Sequence, residues 1–366
     1  MSRERARVTA VEVQLNERSY TIDIGTGNLG ALGSRASEWC GLSHAVIVTD
    51  EHVEKPHAEV AARSLSDAGA DVDVLVVEPG EQTKSIESCA VLWDKLLELG
   101  ADRKTGIVAV GGGVVGDLAG FVAASFARGL PFVQVPTTLL AQVDSSVGGK
   151  VGVNLAGGKN MVGAFWQPAG VLIDTAVLAT LPEREYRAGL AEEVKYGVIL
   201  DVDFFVYLES HIEALAARDT DVLEHVIMRS CRLKADVVEQ DEREETGRRS
   251  VLNYGHTFCH ALETVTGYGE YLHGEGVSIG MLCASRLAER LGRVDAKFTQ
   301  RQHALLAALG LPVEFPDVDQ DAILAAMAHD KKVEHGQLRF VLPTAMGHVE
   351  LVGGIDPRDV RAALAN

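Results

Sequence analysis

Three histidines and a pair of glutamates carry the sharpest chemical signal in the sequence. Asn253-Tyr-Gly-His256-Thr-Phe-Cys-His260 sets two imidazoles four residues apart on one face of a helix, and Leu272-His273-Gly-Glu275 adds a third. Three of the 12 histidines therefore fall within 18 residues. Imidazoles so clustered suit Zn²⁺, and a carboxylate would complete the ligand set. Ala191-Glu-Glu-Val-Lys195, read as the opening of a helix, offers two. Spacing does not choose between Glu192 and Glu193, nor does it say whether His260 is a ligand.

A second kind of chemistry is written in backbone. Val108-Ala-Val-Gly-Gly-Gly-Val-Val-Gly-Asp117 runs a buried strand into three glycines and a helix start, where main-chain N–H groups can meet a phosphate. The spacing is neither GxGxxG nor a Walker A loop, and close packing of strand on helix is the competing explanation. Glu78-Pro-Gly80-Glu81-Gln82-Thr83-Lys84 follows a strand ending at Val77, and Thr137-Thr138 follow the strand Phe132 to Val135. Three such loops at one sheet edge point to a dinucleotide. Of 37 glycines, 14 lie between Gly106 and Gly170. Lysine is the minority cation, 11 against 23 arginines. Lys150, Lys159, Lys195, Lys234, Lys331 and Lys332 sit in glycine-rich or mixed-charge segments, which suggests a local anion pocket.

The elements that must position these groups divide in texture. Alternating Val11, Val13 and Leu15 read as a first strand. Apolar runs at Ala45–Val48, Asp71–Val77, Gly106–Val110, Phe132–Val135 and Val171–Ile173 alternate with helix-length segments, the pattern of βαβ units and a parallel sheet. Gly148 to Trp166 is too broken by glycine for a helix and reads as a hairpin. After Leu181-Pro182, helical spacing dominates at 221–240, 274–291 and 300–309, with little strand signal until Leu338–Leu342. The reading is an α/β domain over 1–178 and an all-α or mainly helical, metal- and substrate-binding domain over 179–366.

Composition bounds the partners. At 366 residues and 47% hydrophobic the chain has the length and content for two globular domains. A net charge of −18 argues against a general grip on nucleic acid or an anionic membrane. No 18-residue apolar stretch or apolar signal core is present. Five scattered cysteines without CxxC spacing fit reduced thiols in a cytoplasm.

These strings, together with Val135-Pro-Thr-Thr-Leu-Leu-Ala-Gln-Val-Asp-Ser-Ser-Val-Gly-Gly-Lys150, Gly158-Lys-Asn-Met-Val-Gly-Ala-Phe165, Ala191-Glu-Glu-Val-Lys-Tyr-Gly197, Lys234-Ala-Asp-Val-Val, Asp241-Glu-Arg-Glu and Asp330-Lys-Lys332, resemble the 3-dehydroquinate synthase family of the sugar-phosphate cyclases. The resemblance runs from about Val76 to Leu342. It implies an NAD- and metal-dependent lyase, cytoplasmic and homodimeric, on the shikimate route to chorismate and the aromatic amino acids. Its reaction turns 3-deoxy-D-arabino-heptulosonate 7-phosphate into 3-dehydroquinate and phosphate by transient oxidation, β-elimination, re-reduction and aldol closure.

Carried onto this sequence, the resemblance implies Zn²⁺ or Co²⁺ on Glu192, His256 and His273, leaving His260 to the substrate. It implies NAD at Gly80, Glu81, Gln82, Thr83 and Lys84, at Gly113, Val114, Val115, Gly116 and Asp117, at Thr137 and Thr138, at Val177, Leu178, Ala179 and Thr180, at Lys150 and Lys159, and at Asp50 for the adenosine ribose. Asp144, Lys150, Lys159, Asn160, Lys195, Lys234, Arg249, Asn253, His260 and either Lys331 or Lys332 match substrate positions. Arg128 looks like the arginine that reaches across the dimer. The glycines at 148, 149, 157, 158 and 163 are then expected to frame Lys150 and Lys159 at one cleft.

Two departures stand out. Asp241-Glu-Arg-Glu-Glu-Thr-Gly-Arg-Arg249 is one residue longer than the family pattern, so Arg248 competes with Arg249, and counting back from Asn253 favours the latter. Cys259 stands where glycine is common, either a methyl-sized replacement or an oxidation-sensitive thiol beside His260. Competing functions are a cyclase acting on sedoheptulose 7-phosphate or a hexose phosphate, a metal-dependent polyol dehydrogenase, and a non-catalytic NAD sensor. The intact Asp144–Lys150 segment argues against the first, and the retained Glu192, His256, His273 and lysines against the last.

Overall fold

The computed structural model describes residues 8–267, 269–328 and 338–365. Its strands are β1 (Thr9–Val13), β2 (Tyr20–Gly25), β3 (His44–Asp50), β4 (Asp71–Val77), β5 (Thr105–Gly111), β6 (Phe132–Pro136), β7 (Lys150–Leu155), β8 (Gly158–Phe165), β9 (Gly170–Asp174), β10 (Arg339–Ala345) and β11 (His348–Gly353). Its α-helices are α1 (Leu32–Cys40), α2 (Glu59–Asp67), α3 (Ile86–Glu98), α4 (Gly113–Ser125), α5 (Glu183–Ile199), α6 (Val202–Ser210), α7 (Ile212–Ala216), α8 (Thr220–Gln240), α9 (His256–Thr266), α10 (His273–Arg290), α11 (Ala296–Ala308), α12 (Gln320–Ala328) and α13 (Pro357–Ala363). No helix among the described residues is long and apolar enough to cross a membrane.

Two compact units result, one built on the chain up to Pro182 together with Leu223–Arg243, the other on Glu183–Val222 together with the chain from Glu244 onward. A single boundary near residue 178 does not describe this division, because the chain returns to the first unit through most of α8. Long-range contacts hold it there: the Cys231 thiol donates to the Gln142 carbonyl at 3.3 Å, and the Lys234 ammonium donates to Asp144.

In the first unit a seven-stranded sheet runs β1-β2-β9-β6-β5-β3-β4, parallel except for β1. The expected strand runs all fall in it. Their near-continuous apolarity follows from burial on both faces. Ala45, Ile47, Val108 and Val110 join Leu32, Ala61 and Leu65 on one side, while Val46, Val48, Ile107 and Ala109 join Leu118 and Val122 on the other. Each such side chain contributes about 1.5–3 kcal/mol by leaving water. Strand β2 was not legible, since Asp23 interrupts it; that carboxylate is buried and paired with the Arg35 guanidinium at 2.6 Å. From β3 the chain moves outward to β4, and from β5 it moves the opposite way to β6, so the order reverses between β3 and β5. Ligands of open α/β sheets bind at the carboxyl ends of strands beside such a reversal.

The expected hairpin is β7–β8, in register from Lys150↔Phe165 to Leu155↔Gly158. Gly152 faces Gly163, where a Cβ would stand 2.6 Å from the Val162 carbonyl oxygen or 2.3 Å from that of Val151. Glycine is therefore required by the close approach of the two strands. Val151 and Val153 fasten the hairpin into the α4 core.

The second unit is mainly helical rather than all-α, since β10 and β11 form an antiparallel hairpin whose first strand covers the expected strand signal. Every residue of α5 from Ala188 to Ile199 is buried, including Glu192, Glu193 and Lys195. Charged groups in such a helix are costly unless something compensates them.

Candidate active site

The metal candidates assemble in the second unit. Ala191–Lys195 lies in the interior of α5 and does not open it; the helix starts at Glu183, directly after Pro182. Glu192 and Lys195 share a helical face and form a buried ion pair through Oε2 and Nζ. His256 begins α9 and His273 begins α10. Glycines bring these helices close: a Cβ on Gly274 would lie 1.8 Å from the Ala188 carbonyl oxygen, and one on Gly280 2.2 Å from that of Gly255. Gly255 itself has φ +80°, a conformation that favours glycine.

This packing aims three donors at one point. His256 Nε2 is 3.7 Å and His273 Nε2 4.0 Å from Glu192 Oε1, and one donor atom from each of the three residues lies within 4.8 Å of the others. Glu192 Oε1 is fully buried and accepts no hydrogen bond. A buried carboxylate oxygen facing two imidazoles fits a divalent cation, and three protein ligands are what a catalytic zinc site with an open position uses. Each imidazole is also oriented from behind, His256 Nδ1 by the Tyr254 carbonyl at 3.2 Å and His273 Nδ1 by the Glu263 carboxylate at 3.2 Å.

The alternatives separate. Glu193 points elsewhere, forms no hydrogen bond, and is pushed up to about 8 by burial. His260 stays outside the trio, its ring edge-on to His256 at 5.6 Å between centroids. Arg249 is buried, with Nε 3.6 Å from Glu244, whereas Arg248 is exposed. Asn253 ends the short 3₁₀ turn Arg248–Asn253 and is half-buried. The Cys259 thiol is fully buried, packed against Gly276 and raised in pKa by burial, which favours the methyl-sized replacement over an oxidation-sensitive thiol. Lys331 and Lys332 lie outside the described residues.

In the first unit the cofactor candidates do meet at one edge, the carboxyl ends of β3, β4, β5, β6 and β9. Gly80 follows β4 at φ +105° and starts the turn Glu81–Thr83, with Gln82 exposed and Thr83 Oγ1 donating to the Glu78 carbonyl at 2.7 Å. Lys84 is buried in an ion pair with Asp117, whose pKa burial raises against the pull of that lysine. Gly111 and Gly116 are explained by packing, on Val115 and Gln134. Gly113, Val114 and Val115 form the first turn of α4, where backbone N–H groups have no helical acceptor. Thr137 Oγ1 is buried without a hydrogen bond, and Thr138 Oγ1 accepts from the Ala141 amide at 3.1 Å. After β9, Val177 and Leu178 are buried while Ala179 and Thr180 are exposed. Thr180 Oγ1 donates to the Val177 carbonyl and meets His57 Nε2 at 2.8 Å. Asp50 closes β3, its Oδ1 accepting from the amides of His52 and Val53.

In the hairpin, Lys150 stands at the base and Lys159 beside the tip. The tip is tied to the Glu78–Lys84 loop: Asn160 N donates to Asn154 Oδ1 at 2.8 Å, Asn154 Nδ2 to Glu81 at 2.8 Å, and Asn154 N to the Lys84 carbonyl at 2.9 Å. Lys234 Nζ donates to both Oδ1 and the carbonyl of Asp144 at 2.6 Å. Arg128 is exposed at φ +69° just before β6, at the edge opposite the loops that carry the cofactor candidates. Sequence reasoning missed Glu263, the Tyr254 carbonyl, Asn154 and His57. Glu263 alone left a signal, standing seven residues after His256 and so on the same helical face.

Residues 74–188 match the family model for the 3-dehydroquinate synthase N-terminal domain, and 189–333 that for its C-terminal domain. A 3-dehydroquinate synthase of Rhodopirellula baltica is 48% identical, covering 98% of this chain and 97% of its own. Among solved structures, 2-deoxy-scyllo-inosose synthase complexed with carbaglucose-6-phosphate, NAD⁺ and Co²⁺ superposes with a TM-score of 0.89 at 28% identity, covering 97% of this chain and 99% of its own. A 2-epi-5-epi-valiolone synthase from Streptomyces hygroscopicus, with NAD⁺ and Zn²⁺ bound, does so with a TM-score of 0.87 at 29% identity over 98% of each chain. With both family models matched over most of its length and nearly half its residues shared with such a relative, the chain belongs to the 3-dehydroquinate synthase family.

Proposed function

We propose that this chain is a phosphate-eliminating cyclase that converts 3-deoxy-D-arabino-heptulosonate 7-phosphate to 3-dehydroquinate and phosphate, with NAD and Zn²⁺ or Co²⁺ as cofactors. The observation that carries the reading is the orphaned Glu192 oxygen facing His256 and His273. When bound, NAD would take up and return a hydride, and the cation would acidify the substrate hydroxyl it holds.

The chain's own residues do the rest. The cofactor loops hold the dinucleotide through backbone N–H groups at the start of α4. The buried ion pair with Glu192 fixes Lys195 in position to polarise a substrate oxygen. Asp144 fixes the Lys234 ammonium, which with Arg249 or Lys150 would anchor the substrate carboxylate. Asn160 and His260 are assigned to the leaving phosphate, whose own oxygen would accept the proton lost in the elimination. A C-terminal lysine of the pair Lys331–Lys332 would share that role.

Arg128 supports a homodimer. Strand β6 separates it from Thr137 by about 15 Å of extended chain, more than its side chain spans, so its contribution is assigned to the substrate of a second copy. The chemistry fits a cytoplasmic setting with reduced thiols, consistent with five free cysteines.

A phosphate-release assay compares the heptulosonate phosphate with sedoheptulose 7-phosphate, with and without a chelator. Release from the first only, lost on chelation, is expected. Release from sedoheptulose 7-phosphate alone would favour the related cyclases, and net NADH accumulation would favour a polyol dehydrogenase.

A further inference from the structure

We propose that Glu263 is a positioning residue for the metal centre, fixing the tautomer, direction and basicity of His273; the inference rests on the metal reading above. A neutral imidazole has one N–H and one lone pair, and the hydrogen bond made by one nitrogen decides which the other presents. Glu263 Oε1 lies 3.2 Å from His273 Nδ1, with the Glu263 side chain 6% exposed. An acceptor there holds the proton on Nδ1 and leaves the Nε2 lone pair directed toward Glu192, 4.0 Å away.

The two imidazoles of the site differ in how they are held. His256 Nδ1 faces a main-chain carbonyl, that of Tyr254, which no side-chain substitution removes. His273 Nδ1 faces a carboxylate, whose charge makes the ring a stronger donor to a cation. The chain builds this arrangement from helix geometry: Glu263 lies seven residues along α9 from His256, and Gly274 and Gly276 let the start of α10 settle beside α5 and against Cys259. Cys259 Sγ, a Glu263 oxygen and His273 Nδ1 also lie within 4.8 Å of one another. A cation among those three would need the Nδ1 lone pair. Orientation by a hydrogen bond needs no second ion and leaves one cation per chain.

Zn²⁺ and Co²⁺ affinities of the full-length protein are measured by competition with a chromophoric chelator, alongside the visible spectrum of the Co²⁺ form and NAD affinity. For Glu263→Ala, cation affinity is expected to fall about 10- to 100-fold, with a changed Co²⁺ spectrum and unchanged NAD affinity. Glu263→Gln, which keeps an oxygen acceptor without the charge, is expected to fall between that variant and wild type, and it carries the test if the alanine variant does not fold. Affinity and spectrum unchanged in Glu263→Gln, or two tightly bound cations per wild-type chain, would overturn the inference while the metal reading stands. Wild-type binding that is absent, or undiminished by Glu192→Gln, would overturn the metal reading and this inference together.

Discussion

The metal centre and the cofactor edge solve different problems. At the proposed metal centre side chains would act directly: Glu192, His256 and His273 offer the donor atoms, and close packing at glycines lets the three helices approach closely enough for those atoms to converge. At the proposed cofactor edge the backbone would act, and the side chains named there mostly hold turns in place, as Thr83 and Asp50 do. A donor set tolerates no change of atom type, whereas a backbone cradle tolerates most changes that leave its path intact.

Substitutions can break or sharpen that contrast. Glu192→Gln removes a charged donor and should lower phosphate release by on the order of 10³-fold, with cation binding lost in parallel and NAD affinity intact. A variant that still binds Zn²⁺ tightly would remove the basis of the comparison. Next in size is Gly274→Ala, whose methyl would collide with the Ala188 carbonyl. It should destabilise by about 2–3 kcal/mol and weaken cation binding at least about tenfold, read by urea denaturation and metal competition.

If Arg128 serves a second copy, mixing two inactive variants, Arg128→Ala and Glu192→Gln, should restore about a quarter of wild-type activity, since random pairing makes half the dimers hybrid with one complete site each. No recovery after subunit exchange would contradict that assignment. Gly112→Ala, where a Cβ would sit 3.0 Å from the Thr138 methyl, should weaken NAD only about fivefold and leave cation affinity unchanged.

The smallest effect on turnover is expected at Glu193. Its folded-state pKa of about 8 stands above the ordinary 4.5, so the folded chain keeps a proton that the unfolded chain releases. Stability is therefore lost as pH rises from 4.5 to about 8 and levels off above that. Glu193→Gln should flatten this dependence by on the order of 4 kcal/mol, seen as denaturation curves that differ little near about pH 5 and widely near about pH 9. Parallel curves for the two proteins would exclude the buried acid as their cause.

The same contrast explains what the sequence made legible. His256, His260 and His273 announced a metal site because donor types and helical spacing are local properties, but only folding shows that Glu192 and not Glu193 faces them, and that His260 stands aside. The β7–β8 hairpin and the parallel strands were visible in glycine placement and apolar runs. Strand β2 was not, because the Asp23–Arg35 pair that permits its burial joins residues from separate elements. The return of Leu223–Arg243 to the first unit depends on Gln142 and Asp144, some 90 residues earlier, and no window along α8 contains that information. The separation of Lys150 from Lys159 likewise follows from hairpin register, which composition cannot express.

The most direct test follows inorganic phosphate and NADH together during turnover of the heptulosonate phosphate, before and after chelation. The account predicts one phosphate per substrate consumed with no net NADH, arrest by the chelator, and recovery on adding Zn²⁺ or Co²⁺. Phosphate release that continues at full rate in the chelated protein, or NADH that accumulates in step with substrate loss, would contradict it.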